Sequence, residues 1–283
     1  MSDQVLLSER QLRERVIELV QHAQVQISGS SSDIDIVQHF GLQINEDDLP
    51  IDQDGAYIES ESKIIININI TSSERRQFTL YHELVHHLIR NDSNLYSYLH
   101  DAYRETKQFD KTIEIICNVG AAEFILPRDS VRELIVNKGF SVELVPQLCK
   151  TQNVSGPAAL IQLVQCAPNH CYGVVCEYGF PPSSGDVNQQ TFIRPTQVKT
   201  LYILYVIWSP SARYSISRFT SIPTDHLLMQ ALSEEQLIKG KDRIPFRSGK
   251  EWRVPCQALL FRNQVYGIFN VTQPPNNQQL KLF

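Results

Sequence analysis

The chain has 283 residues, 42% of them hydrophobic and 20% charged, with a formal net charge of −5 and an isoelectric point near 5.9. That length is enough for a sizeable core and favours two or three domains, while the acidic balance argues against a strongly basic nucleic-acid or polyanion binder. The opening MSDQVLLSERQLRERVIELV lacks the apolar centre and small-residue cleavage site of a signal peptide, and no apolar run reaches membrane-spanning length. The expectation is a soluble, cytoplasmic protein with no membrane partner.

Apolar residues recur at helical spacing from about residue 4 to 27. Ser31 and Ser32 are placed to cap a short helix, DIDIVQHF, which Gly41 ends. Strands are expected at Leu42–Ile44, Ala56–Glu59 and Ile64–Ile70. In the last, Ile64, Ile66, Ile68 and Ile70 share one face and Asn67 and Asn69 the other. Thr71-Ser-Ser-Glu74 matches a capping box and starts a helix to about Arg90. Further helices are expected at about 110–125, 129–138, 141–150 and 157–165, with a turn at Asn153–Gly156. After Pro168 the character changes to strand-like runs: CYGVVCEY, TFIRP, TLYILYVIW, YSISRF, WRVPCQALLF and VYGIFNV, interrupted by one helix at about 224–238. Pro181–Asp186 reads as a loop and Gln273–Gln279 as a loose tail.

The six cysteines, Cys117, Cys149, Cys166, Cys171, Cys176 and Cys256, include no CxxC pair, so buried thiols are expected. Cys166, Cys171 and Cys176 lie near His170 in the chain, as a structural metal site would need, but Cys171–Cys176 reads better as a buried strand.

The informative stretch is LYHELVHHLI. Helical residues four apart project from nearly one face, so His82 and His86 can point two imidazoles at one ion. Glu83 sits one step round, able to touch a water on that ion without ligating it. This is the arrangement of zinc peptidases, in which the glutamate takes a proton from water and passes it to the leaving amine. The motif lies mid-helix, behind a strand and a capped start, which a chance match does not require. His87 is about 100° further round than His86 and is expected to pack rather than ligate. A third ligand is expected on a later helix, where EIICNVGAAEFILP offers Glu114 and Glu123. These are about 180° apart on one helix, so both cannot face the ion. The pattern leaves the choice nearly even, with a slight lean to Glu114 in the first turn.

RRQFTLYHELVHHLI followed by EIICNVGAAEFILP resembles the ImmA/IrrE peptidases, and HDAY at His100–Tyr103, the helical middle and IPFRSGKEWRVPCQALLFRNQVYGIFNV also fit. The resemblance spans nearly the whole chain, with its most specific motifs in the first half. It implies an α+β multidomain chain: a zincin-like (HExxH) peptidase domain at 1–127, a helix-turn-helix-like domain at 128–167 and a GAF-like sensor domain at 168–283. It implies that His82, His86 and Glu114 bind Zn²⁺, with Mn²⁺ as the alternative ion, and that Glu83 is catalytic. It also implies a protein substrate, a DdrO-like XRE-family repressor whose cleavage induces DNA-repair genes. Val85 stands where many relatives have glycine or a small residue, and it is neither ligand nor base.

Substrate contacts are expected from Asn67 and Asn69, if the strand before the motif helix pairs with substrate backbone, and from Tyr103 or His100 at the developing oxyanion. Direct DNA binding is the competing reading. The would-be recognition helix Pro157–Gln165 carries two glutamines among apolar residues, and no Lys, Arg, Asp or Glu occurs from Thr151 to Cys176. Groove reading and phosphate contact are therefore disfavoured. In a third reading the last domain is a sensor, with Tyr202, Tyr205, Trp208 and Trp252 lining a pocket for an unnamed small molecule; aromatic core packing is the better account of those four.

Overall fold

In the computed structural model, residues 7–27, 32–103, 108–182, 198–209, 216–246 and 251–271 are described. The mixed α+β chain forms two units, Met1–Pro127 and Arg128–Phe283. TFIRP, most of the Pro181–Asp186 loop and the closing tail lie outside the described residues.

In the first unit, helix α1 (Glu9–Gln26) begins with a capping box between Ser8 and Gln11 and buries Leu12, Val16, Val20 and Ala23. Helix α2 (Asp33–His39) is capped by Ser32, and the chain turns out of it through Gly41 at φ +73°, a conformation that favours glycine. Strands β1 (Gln43–Asp47), β2 (Gly55–Ile58) and β3 (Lys63–Asn67) form a sheet in the order β1-β3-β2, with β1 parallel and β2 antiparallel to β3. The strand expected to reach Ile70 thus ends at Asn67. There the Asn67 amide nitrogen donates to the Leu49 and Gln53 carbonyls at 3.1 and 2.8 Å, and its oxygen accepts from the Asn69 N–H. This local bonding breaks the alternation: Ile64 and Ile66 are buried, whereas Ile68 is exposed.

Helix α3 (Ser73–Asn91) is capped by Ser72, one residue later than expected, through the Arg75 N–H at 3.2 Å. Asp92 ends α3, and its side chain accepts from Leu95 N–H, which starts helix α4 (Ser93–Tyr103), an element absent from the sequence expectation. Leu95 and Leu99, four apart, bury its inner face. Helix α5 (Phe109–Ile125) packs against both α1 and α3.

In the second unit, helices α6 (Arg128–Lys138), α7 (Leu144–Gln152) and α8 (Gly156–Gln165) precede strand β4 (His170–Gly179). With β5 (Thr200–Trp208), β6 (Ile238–Arg243), β7 (Arg253–Phe261) and β8 (Gln264–Val271) it makes an antiparallel sheet in the order β5-β4-β8-β7-β6. Helix α8 covers one face, where a side chain at Gly173 would collide with Val164 and Leu160. Helix α9 (Leu227–Glu234) covers the other, with Leu228 against Gly267. The helix expected at 224–238 is shorter because Glu235 turns left-handed, and Ile238–Arg243 then pairs with β7 as a strand. The described part of YSISRF is not a strand but a turn: Phe219 has φ +62° and its N–H donates to Ile203. All six cysteines are buried and none is in a disulfide. Alternation puts Cys171 and Cys176 on opposite faces of β4, so they do not share a site. Tyr202 is buried and Trp252 stacks on Phe246 against the core, as aromatic packing requires, whereas Tyr205 and Trp208 are exposed.

Two predictions come from this packing. A Cβ at Gly120 would lie 2.8 Å from both Val85 methyl carbons. Gly120→Ala is therefore expected to destabilise the first unit by about 1–3 kcal/mol, and Val85→Ala in the same chain to recover part of that loss, read as urea midpoints. In the second unit, His226 caps α9: its Nδ1 accepts from Leu228 N–H at 3.1 Å while Nε2–H donates to the Arg243 carbonyl at 2.8 Å. Both ring nitrogens are satisfied by the neutral form, and burial lowers its pKa against the opposing pull of the Arg243 carbonyl and Asp242. The stability this contributes is complete above a pH of about 6.5 and is lost as pH falls from there through the lowered folded-state value. The drop in urea midpoint from pH 7.5 to 5.5 is expected to shrink in His226→Asn, which caps without titrating.

Candidate metal centre

One turn of α3 and the first turns of α5 build the site. His82 and His86 project from α3 with their Nε2 atoms 3.1 Å apart. Glu114 on α5 sets one carboxylate oxygen 3.2 Å from His82 Nε2 and the other 3.3 Å from His86 Nε2. An ion bound at about 2.0–2.1 Å in tetrahedral geometry has ligand atoms separated by about 3.3–3.4 Å, close to the imidazole–imidazole spacing and to each imidazole's contact with its own Glu114 oxygen. Among the described residues, this trio is the one group of three or more His, Cys, Asp or Glu side chains able to hold an ion. Glu123 is taken elsewhere: it is buried, and Gln21 donates to its carboxylate at 3.2 Å.

The surroundings prepare the donors. Asn118, one turn beyond Glu114, places its Oδ1 3.1 Å from His82 Nδ1. Donation from Nδ1–H to that oxygen leaves the Nε2 lone pair for a metal. The Glu114 carboxyl is held well below the usual carboxylate range by the His82 and His86 hydrogen bonds. Burial works to lower the His82 pKa, but Glu114, Glu83 and Asn118 together raise it above the ordinary histidine value. Glu83 is buried, and that burial raises its pKa, moderated by the two imidazoles and a hydrogen bond from the Tyr57 backbone N–H. Two carboxylates thus sit side by side with their affinities for protons driven apart, Glu83 upward and Glu114 downward.

Strand β2 closes the cleft, which holds about 530 Å³ and is lined by Gly55, Tyr57, Phe78, Thr79, the three donors, Glu83 and Asn118 among others. A Cβ at Gly55 would stand 2.5 Å from Thr79 and 3.2 Å from Glu83, so glycine lets the strand lie against the helix. Asn67 N–H donates to Asp54 O, which fixes the ladder alternation and turns the backbone groups of Gly55 and Tyr57 away from β3, towards the edge that no strand among the described residues pairs with. His87, as expected, misses the cluster: its Nδ1 is 3.0 Å from the Tyr57 hydroxyl, and Asn91 also holds it.

The remaining expected contacts fall outside this cleft. Strand β3 is central in its sheet, paired on both edges, and cannot itself accept a substrate strand. Asn67 and Asn69 line a separate cavity with Asp48 and Ile70. His100 and Tyr103 lie on α4, with the His100 ring edge-on to Phe109, and neither lines the cleft. Asn118, Gly55 and Tyr57 were not singled out by the sequence. For Asn118 the signal was its four-residue spacing from Glu114; for Gly55 and Tyr57 no local pattern exists, because their role depends on strand order.

Two imidazoles and a buried carboxylate on α3, completed by a carboxylate from α5, form a cluster able to hold a divalent ion beside an acid. Residues 37–155 match the peptidase family described as the IrrE N-terminal-like domain. The radiation response metalloprotease IrrE of Deinococcus deserti is 32% identical over 219 residues, covering 77% of this chain and 74% of that protein. The protein of the same name from Deinococcus radiodurans is 30% identical over 213 residues, covering 75% of this chain and 64%, just under two thirds, of that protein. The chain belongs to the IrrE-like peptidase family. In fold alone it is also similar to a Mycobacterium tuberculosis transcriptional regulator of solved structure, with a TM-score of 0.54 at 11% identity over 92% of this chain and 76% of that one.

Asn118→Ala is expected to weaken Zn²⁺ binding by about 10–100-fold through loss of His82 orientation, measured by competition with a chromophoric chelator. His82→Ala in the same assay should bring affinity down to that of the surface.

Proposed function

We propose that the chain is a metal-dependent, site-specific endopeptidase that cuts a DdrO-like XRE-family repressor and thereby induces a DNA-damage response. The observation that carries this reading is the convergence of His82, His86, Glu114 and the buried Glu83 in one cleft under a free strand edge. The names of the Deinococcus relatives support a proteolytic, radiation-linked role. In this reading His82, His86 and Glu114 hold Zn²⁺ or Mn²⁺, which would supply Lewis acidity and make water nucleophilic at neutral pH. Glu83 takes the proton from the attacking water and delivers it to the leaving amine nitrogen; its raised pKa suits both halves of that transfer. Substrate backbone pairs with the outward Gly55 N–H and Tyr57 C=O of β2 rather than with β3.

The same reading assigns 1–127 to the peptidase domain, 128–167 to a helix-turn-helix-like module and 168–283 to a GAF-like regulatory domain in a cytoplasmic protein. The α7–α8 connection, turning through left-handed Asn153, supports the second assignment, and the five-stranded sheet with α9 supports the third. Direct DNA reading draws no support from α8, whose Ala159, Leu160, Leu163 and Val164 are buried and whose Gln162 is buried with them. None of the described helices is long and apolar enough to cross a membrane.

Purified protein loaded with Zn²⁺ or Mn²⁺ is expected to give one discrete cut in the host's DdrO-like repressor. Glu83→Gln should retain the metal and lose at least about 10²-fold in rate. Cutting by Glu83→Gln at the wild-type rate would rule out Glu83 as the base. Tight, steeply salt-dependent binding to the repair-gene promoter without repressor would instead favour the DNA-binding reading.

A further inference from the structure

Beyond His86, on the side away from Asn118, lies a second cavity of about 220 Å³. Its walls are Tyr57, Ile89, Tyr96, Phe109 and Ile113, and it shares His86 and Tyr57 with the metal cleft. It is below the roughly 300–1,000 Å³ of sites for drug-sized ligands, so it has room for a single large side chain. The charges at this cavity are already matched: Arg90 Nε donates to both Glu59 oxygens at 3.0 and 2.9 Å, and the guanidinium lies 4.2 Å over the Tyr96 ring. The polar tip of Tyr57 is occupied by His87 at 3.0 Å, and Tyr96 meets Phe109 edge-on with ring centres 6.3 Å apart. An entering group therefore finds apolar walls held in place from behind and no unpaired charge to attract an ionic side chain.

We infer that this cavity is a specificity subsite that takes one large aliphatic or aromatic substrate side chain, next to the bond placed at the metal centre. The inference rests on the peptidase reading above. The shared residues give it its position. The Tyr57 backbone N–H serves Glu83, and Tyr57 and His86 line both the cleft and the cavity, so a chain lying along β2 with its backbone over the donors carries a neighbouring side chain to the opening. Phe109 and Tyr96 are the residues that set its size; they come from α5 and α4 and take no part in metal binding.

Small hydroxamates separate the subsite from the metal centre, because the hydroxamate group reports the metal and its substituent reports the cavity. Zn²⁺-loaded full-length protein would be titrated by calorimetry with acetohydroxamate and with otherwise identical succinyl hydroxamates bearing hydrogen, isobutyl, benzyl or naphthylmethyl beside the metal-binding group. The isobutyl and benzyl compounds are expected to bind at least about tenfold tighter than the unsubstituted one. Phe109→Trp should remove that increment and leave the unsubstituted compound's affinity unchanged. Phe109→Ala, which opens the cavity and avoids crowding it, should move the preference towards naphthylmethyl. Equal affinities across the series in wild type, or an increment that survives Phe109→Trp, would overturn the subsite while leaving the metal centre intact. Failure of every hydroxamate, acetohydroxamate included, would overturn the metal reading and the subsite with it.

Discussion

The close approach of α3 and α5 is the constraint on which the site depends. Gly120 offers no side chain where Val85 fills the space between the helices, and Glu114 stands six residues earlier on α5, about 9 Å along the axis. If the helices separated by a methyl group's width at that contact, Glu114 could no longer meet both imidazoles at hydrogen-bond distance. The larger residue in the variable position of the motif is thus matched by the smallest one across from it. The burial of Val16 on α1 against the same glycine ties a third helix into the arrangement, so the donor geometry is set by packing rather than by the donors' own attraction.

A second close approach supplies the asymmetry between the two carboxylates. Because Gly55 lets β2 lie against α3, Glu83 is buried under backbone, whereas Glu114 remains substantially exposed. Burial disfavours the charged form of the first; hydrogen bonds from two imidazoles favour the charged form of the second. The same trio of donors can hold either protons or a divalent ion, so occupancy by one displaces the other and metal uptake is coupled to proton release. Cys117 lies behind this cluster, and burial raises its thiol pKa far above the ordinary range, leaving a packing residue rather than a fourth donor.

The parts of this arrangement legible in the sequence are those with local periodicity. His82, Glu83 and His86 lie within one helical turn, and their mutual placement follows from the 100° step. Glu114 and Glu123 share a helix, so their opposition was readable, but the choice between them required knowing which side of α5 faces α3. Helix α4 was missed because it follows α3 with only Asp92 between them and is short, with two buried anchors, Leu95 and Leu99, one turn apart. The strand ending at Asn67 was overextended because Ile68 and Ile70 continue the alternation in type while the Asn67 amide diverts the backbone into a loop. Substrate contacts were assigned to the strand nearest the motif in sequence, whereas the order β1-β3-β2 puts the free edge on β2. Strand order is a long-range property, and nothing within the individual strands encodes it.

That free edge limits what can be cut. With the Tyr57 N–H held by Glu83 and the Gly55 carbonyl by the Gln53 side chain, β2 is left with the Gly55 N–H and the Tyr57 C=O pointing outward in the plane of the sheet, and an extended chain can meet them in register. A helix entering the cleft would have its own backbone groups already bonded and would present side chains where β2 needs N–H and C=O groups. On the peptidase reading proposed above, a folded protein would satisfy this cleft only where several of its residues run free of helix or sheet, in a linker or a loop. On that same reading the two cavities lined by Tyr57 would act on such a stretch together, one taking its backbone beside the imidazoles and Glu83 and the other an apolar side chain. A segment would have to be both unfolded locally and apolar at one position to fill both, and few surface loops are, so the proposed activity carries its own physical basis for sparing most folded proteins.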